Sequence, residues 1–220
     1  GGLMRSLAAA IRLWRRARAR PRRVAAAERA FDAALGRLGP GDIAIDCGAN
    51  VGEISARIAA TGATLHAFEP DPDAFAALAR RLAGAPDVTL HEAAVGLAPG
   101  RVPLYPGTGR VPGSTEGSVS STLAPGSRRV AGTPLAEVTV IDFPAFLDAL
   151  PGPPALVKID IEGAEVALLE RLFDTGAITR MGRVFVETHE KQLPALAART
   201  LALIDRAAAL PGRPVNLDWG

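Results

Sequence analysis

The 220-residue chain reads as an α/β protein: a mostly parallel sheet with helices on both faces, preceded by an N-terminal helical extension. Three observations predict this. From residue 43 onward, short apolar runs alternate with helical periodicities, and that alternation builds parallel sheets with right-handed crossovers. The first run, Ile43–Asp46, ends in the tight turn Cys47-Gly48-Ala49-Asn50-Val51-Gly52 and a helical pattern follows. Later runs end on chemistry-bearing residues, Glu69, Asp160 and Glu187, as expected when a ligand sits beyond the carboxyl ends of strands.

The N-terminal extension, residues 1–38, is read as two helices. In residues 3–20, Leu3, Leu7, Ile11 and Trp14 recur at helical spacing and arginines occupy the other faces. Pro21 should end this helix. Such a segment binds an anionic membrane surface weakly, binds nucleic acid, or packs on its own domain or a second subunit. Residues 22–38 carry Val24, Phe31, Leu35 and Leu38 on one stripe, and Gly39-Pro40-Gly41 stops them.

The main domain, 39–220, then follows in order. A helix from about Gly52 turns Ile54 and Ile58 inward, with Gly62 as its cap. Strand two is Thr64–Phe68. Asp71 reads as an N-cap and Pro72 as the first helical residue of a segment bearing Phe75, Leu78 and Leu82. Strand three is Val88–Leu90. Residues 97–135 are rich in Gly, Pro, Ser and Thr, with Ser118, Ser120, Ser121 and Thr122 clustered, and a connection this long reads as a lid or insertion. Within it Val102–Tyr105 can pair with the run Glu137–Ile141. Asp142 caps a short helix, Phe143–Leu150. Strand four, Ala155–Ile161, leads to a helix over Gly163–Phe173, and strand five, Arg183–Glu187, to a long helix over Leu193–Leu210. Val215–Trp219 is a candidate last strand.

Composition excludes several classes of function. Cys47 is the one cysteine, so neither an internal disulfide nor a cysteine metal cluster is available. A net charge of +2 does not describe a whole-protein nucleic-acid binder. No apolar run approaches the roughly 18 residues of a spanning helix, and no secretory pattern opens the chain, so the sequence predicts a soluble cytoplasmic protein.

Four groups of residues carry the chemistry. Gly48 and Gly52 let backbone approach a ligand, and the helix N-terminus beyond them offers unpaired N–H groups. Glu69 lies 21 residues after Gly48, near the ~20-residue offset at which an acid binds ribose hydroxyls. Asp46 places an acid before the turn, which suits the amino group of a methionine moiety and repels a pyrophosphate. In Lys158-Ile159-Asp160-Ile161-Glu162-Gly163-Ala164-Glu165, Lys158 and Asp160 share a strand face. Lys158 is read as a catalytic group or as the partner of Asp160 or Glu162; Glu162 and Glu165 suit a helix dipole. Glu187-Thr188-His189-Glu190 brings a histidine to the strand tips, where it acts as a general base, serves structure, or holds a divalent metal with Asp160 and Glu187.

Taken in order, Ile45 to Gly52, Phe68-Glu69-Pro70-Asp71-Pro72, Ala93-Ala94-Val95-Gly96, Val140-Ile141-Asp142, Lys158 to Glu165 and Val186 to Glu190 resemble the FkbM family of S-adenosylmethionine-dependent methyltransferases. The resemblance implies a class I methyltransferase (Rossmann-like) fold and transfer of a methyl group to a hydroxyl of a sugar, glycan or secondary-metabolite scaffold. By motif it implies that Gly48 and Asn50 line the methionine part of S-adenosyl-L-methionine and Glu69 its ribose; Asp46, Gly52, Pro70, Asp71, Glu92 and Ala93 are the further residues expected around the cofactor, and the residues themselves offer Asp160, His189, Glu187 and Lys158 as catalytic candidates. Glu92 stands where the family often shows Asn, and Phe143 where many members carry an acid. RNA methylation through the basic N-terminal helix, or a non-catalytic scaffold, are the other readings.

Overall fold

The computed structural model describes residues 11–106, 133–189 and 193–219. The Ser118–Thr122 cluster, the N-terminal Leu3 and Leu7, and Glu190 therefore lie outside the described residues. The elements run α1 (11–18), α2 (Arg20–Leu35), β1 (Ile43–Cys47), α3 (Glu53–Ala59), β2 (Thr64–Phe68), α4 (Pro72–Arg81), β3 (Val88–His91), β4 (Ala94–Gly96), β5 (Gly100–Leu104), β6 (Ala136–Asp142), α5 (Phe143–Ala149), β7 (Leu156–Ile159), α6 (Glu165–Asp174), β8 (Arg183–Glu187), α7 (Ala197–Ala209) and β9 (Val215–Trp219).

Six strands form one sheet in the order β3-β2-β1-β7-β8-β9, and every neighbouring pair is parallel. The chain leaves β1 toward β2 and β3, then returns across β1 to lay down β7, β8 and β9. The order reverses between β1 and β7, and a crevice opens at the carboxyl ends of those two strands.

Alternation along the buried strands explains why helices cover both faces. Ile45, Cys47, Val157, Ile159, Val184 and Val186 point to the side covered by α5, α6 and α7. Ala44, Leu156 and Phe185 point to the side covered by α2, α3 and α4. On that second face α2 inserts Phe31, fully buried, edge-on to Phe185 at 5.2 Å between ring centroids. Burying a side chain of that size contributes about 2–3 kcal/mol. The N-terminal extension is thus packed on the sheet through α2.

Local signals set several boundaries. Pro21 falls in the first turn of α2, where a missing N–H costs nothing, and the helix is interrupted at Ala19 just before it. Asp71 caps α4 as its sequence position predicts, accepting from Asp73 N at 3.0 Å and Ala74 N at 3.4 Å. Two elements are shorter than their patterns predict. β7 ends at Ile159, its last pair with Cys47 closed by Asp160 N–H donating to Cys47 O at 3.0 Å, and α6 waits until Glu165 because Glu162 and Gly163 take positive φ. The 193–210 helix opens as a separate 3₁₀ turn, Pro194–Leu196.

A second, three-stranded sheet has the order β4-β6-β5. β5 and β6 pair as expected, and do so antiparallel with Val102 opposite Val138. β4, only three residues long, pairs parallel to β6 and has no pattern that forecasts it. β9 carries a register shift opposite Phe185 to Glu187. The shift turns Trp219 out of step with Val215 and Leu217 and onto the face of Phe31, 4.4 Å away between centroids.

Candidate active site

The turn after β1 is built by close backbone approach. Gly48 N and Ala49 N both donate to Phe68 O, at 3.0 and 2.9 Å. Gly48 has φ of +78°, and a Cβ there would sit 1.8 Å from Asp160 O. Only glycine lets the β1 and β7 turns touch in this way. Gly52 serves the packing of the turn instead. Its φ is +85°, and a Cβ would meet Leu78 Cδ1 at 2.6 Å, so the bare backbone seats the turn on α4.

Glu69, at the tip of β2, locks this turn to the next. Its Oε2 accepts from Asn50 N at 2.7 Å and its Oε1 from Asp71 N at 2.8 Å. Burial pushes its pKa up to about 7, although the two backbone donors pull the other way.

Beneath the turn lies a buried ion pair. The register sets Asp46 directly opposite Lys158. Lys158 Nζ donates to Gly48 O at 2.6 Å and stands 3.2 Å from Asp46 Oδ1 and 3.5 Å from Asp160 Oδ2. Ser55 Oγ donates to Asp46 Oδ2 at 2.7 Å. Burial works against the ammonium, but Asp46 and Asp160 outweigh it and raise the pKa above the usual lysine value. Lys158 thus pins the glycine turn from below.

The tips of β7 and β8 hold an acidic cluster around one histidine. His189 Nε2 lies 3.4 Å from Glu162 Oε2 and 3.6 Å from Asp160 Oδ1. Glu165, fully buried, accepts from Gly163 N at 2.7 Å and from His189 N at 3.1 Å, and its Oε1 is 3.2 Å from His189 Nδ1. Burial alone would strip the imidazole of its proton. Glu162 and Glu165, one carboxylate facing each ring nitrogen, outweigh it and hold the pKa above the ordinary value, which favours the imidazolium. Glu187 is pushed upward by burial and by Asp160 beside it. Donor atoms of Asp160, Glu162 and His189 lie within 4.8 Å of one another, a spacing a divalent cation can bridge. The second acid in that trio, beside Asp160, is Glu162, where the sequence pointed to Glu187.

These pieces surround a cavity of about 290 Å³ at the switch point. Of the sequence-predicted residues, Gly48, Asn50, Glu69, Pro70, Ala93, Lys158 and Asp160 line it. Asp46 and Asp71 are buried and do not reach its wall: the first is engaged by Lys158 and Ser55, the second caps α4. Gly52 and the exposed Glu92 are likewise outside the wall, and Glu187 and His189 stand off it, next to Asp160. The wall also includes Ile54, Leu104, Ile161, Glu162 and Trp219, none assigned to the site from the sequence. Glu162 had a signal, an acid beside a glycine after strand four, that a helix terminus explains equally well. Trp219 had none, because only the β9 register shift delivers it.

A doubly wound parallel sheet with a glycine turn and an acid-tipped second strand at its switch point defines a Rossmann-like nucleotide-cofactor fold. The Methyltransferase FkbM domain matches residues 46–207, and the chain belongs to the FkbM methyltransferase family, which uses S-adenosylmethionine. A curated relative, Hexuronic acid methyltransferase AglP of Haloferax volcanii, is 29% identical over 149 residues, 67% of this chain. The chain spans just over half of that protein's length, 56% of it. A solved structure of a candidate rRNA-methylase from Clostridium thermocellum is similar at a TM-score of 0.46 and 10% identity, covering 81% of this chain and 78% of its own. Among the described residues no helix is long and apolar enough to cross a membrane.

Proposed function

We propose that the chain transfers the methyl group of S-adenosylmethionine to a hydroxyl of a sugar or glycan. One observation carries the reading: a buried carboxylate suited to a ribose, Glu69, and a partly exposed carboxylate, Asp160, line the same cavity. Glu69 accepts from the ribose hydroxyls, and the Gly48–Asn50 backbone lies along the methionine part. The bound cofactor supplies an electrophilic methyl group. An incoming hydroxyl must lie in line with it and give up a proton. Asp160 is the group we assign to that proton. Both ring nitrogens of His189 face carboxylates, Glu162 and Glu165, which leaves neither directed at an acceptor hydroxyl.

AglP is named for a hexuronic acid, and such a sugar offers both hydroxyls and a carboxylate. Asp160 and Glu162 bring two acids to the cavity wall, which favours a neutral hydroxyl over a carboxylate nucleophile. Product stability separates the two: a methyl ether survives mild alkali and a methyl ester does not. Alkali-labile product from a uronic acid acceptor would contradict the hydroxyl assignment. Asp160→Asn is expected to lower turnover by roughly 10²–10⁴-fold while leaving donor affinity in place. Turnover equal to the parent's would remove Asp160 from this role.

Glu69 also sets a pH dependence. Its folded pKa is raised to about 7, above the unfolded value, so the free protein loses stability as pH rises from the ordinary carboxyl range through about 7. A ribose is best bound by the ionised form, so donor affinity should rise over that window and level off above it. Glu69→Gln should flatten both curves. Calorimetric titration with S-adenosylhomocysteine across pH, paired with urea unfolding, measures each.

A further inference from the structure

Helix α1 is turned the opposite way from an ordinary surface helix. Its arginines at 12 and 16 reach back to the body of the protein, Arg12 through an exposed ion pair and Arg16 from a half-buried position. Arg12 donates to both Asp205 oxygens, at 3.0 and 2.6 Å, and Arg16 donates to Leu217 O at 2.6 Å and pairs with Asp218. Arg23 of α2 joins the same Asp218. At about 100° per residue, Ile11, Trp14, Arg15 and Arg18 occupy the other side, and all four are exposed. Trp14 is 61% exposed and Ile11 44%, two of the three large hydrophobic residues exposed among the described residues.

An amphipathic helix on a soluble domain normally hides its apolar stripe and shows its charges. Here two cations are held against the domain by Asp205 and Asp218, and the tryptophan and isoleucine look outward. Arg18 lies over the Trp14 ring, 5.7 Å from its centroid. Residues 11–27 contain seven arginines and no acid.

We propose that this face of α1 docks on an anionic membrane surface. Trp14 and Ile11 enter the boundary between headgroups and acyl chains, where an indole is stable. Arg15, Arg18 and the exposed Arg22 meet lipid phosphates. A nucleic acid would satisfy the arginines but gives the outward isoleucine nothing to bury against. An anionic bilayer satisfies both. The anchor points adjoin the cavity: Asp218, which holds Arg16 and Arg23, precedes Trp219 in its wall.

The test is co-sedimentation of the full chain with phosphatidylcholine vesicles, with and without phosphatidylglycerol. The parent should partition to the anionic vesicles and stay off phosphatidylcholine alone. Ile11→Ser/Trp14→Ser, and separately Arg15→Ser/Arg18→Ser/Arg22→Ser, should each lower partitioning by at least about tenfold. Binding of S-adenosylhomocysteine by both variants, equal to the parent's, shows that the fold and cavity are intact and reads the proposed activity separately. Equal partitioning of parent and variants would overturn the proposal. So would an RNA gel shift, or a dimer in solution, that the same substitutions abolish while no form of the protein binds vesicles.

Discussion

Gly48→Ala is expected to abolish donor binding and to cost several kcal/mol of stability. A left-handed backbone costs a residue with a Cβ about 1–2 kcal/mol on its own. At Gly48 the Cβ would also fall 1.8 Å from Asp160 O, and backbone cannot swing away as a side-chain tip can. To relieve the contact, the β1 and β7 turns must separate. That movement breaks the Asp160 N to Cys47 O bond and lifts Gly48 O from Lys158. It also pulls apart the two walls that carry Glu69 and Asp160. Calorimetry with S-adenosylhomocysteine and a thermal melt check both effects. A variant that binds and melts like the parent would mean that the turns do not meet as described.

Lys158→Met should be comparably damaging, for an electrostatic reason. Asp46 is fully buried, and Lys158 is the cation beside it. Removing one partner of a buried pair strands the other charge and typically costs about 3–5 kcal/mol. The methionine also lacks the donor that holds Gly48 O, so donor affinity should fall with stability. Adding Asp46→Asn to Lys158→Met removes the stranded charge and should recover part of the lost stability, a coupling that a double-mutant cycle in urea resolves. Donor affinity should recover less, because the turn still lacks its pin. If the two substitutions simply add, the pair is not the unit described.

The order of strands and helices was legible because each strand of the large sheet is a short apolar run between helices with 3.6-residue periodicity. Glu69 was legible because its offset from Gly48 is fixed by one β-α-β passage. What the chain order hides is long-range. Asp46 looked like a wall residue because its partner stands 112 positions away, and only the β1–β7 register shows the two side by side. Glu162 and Glu165 looked like ordinary acids of a helix start; the fold instead closes them around His189 from another strand tip. β4 is too short to show any period, and its partner β6 lies beyond the 97–135 segment. Trp219 reaches the cavity through a register shift that no residue pattern announces. In each case the missing information is which elements become neighbours.

The claim on which the rest depends is that the Gly48–Glu69–Asp160 cavity holds the methyl donor. Calorimetric titration of the parent, Glu69→Ala and Asp160→Asn with S-adenosylhomocysteine tests it most directly. The expected result is one site in the parent, affinity lower by about tenfold or more in Glu69→Ala, and parent-like affinity in Asp160→Asn. Absence of binding in the parent, or unchanged affinity in Glu69→Ala, would contradict it.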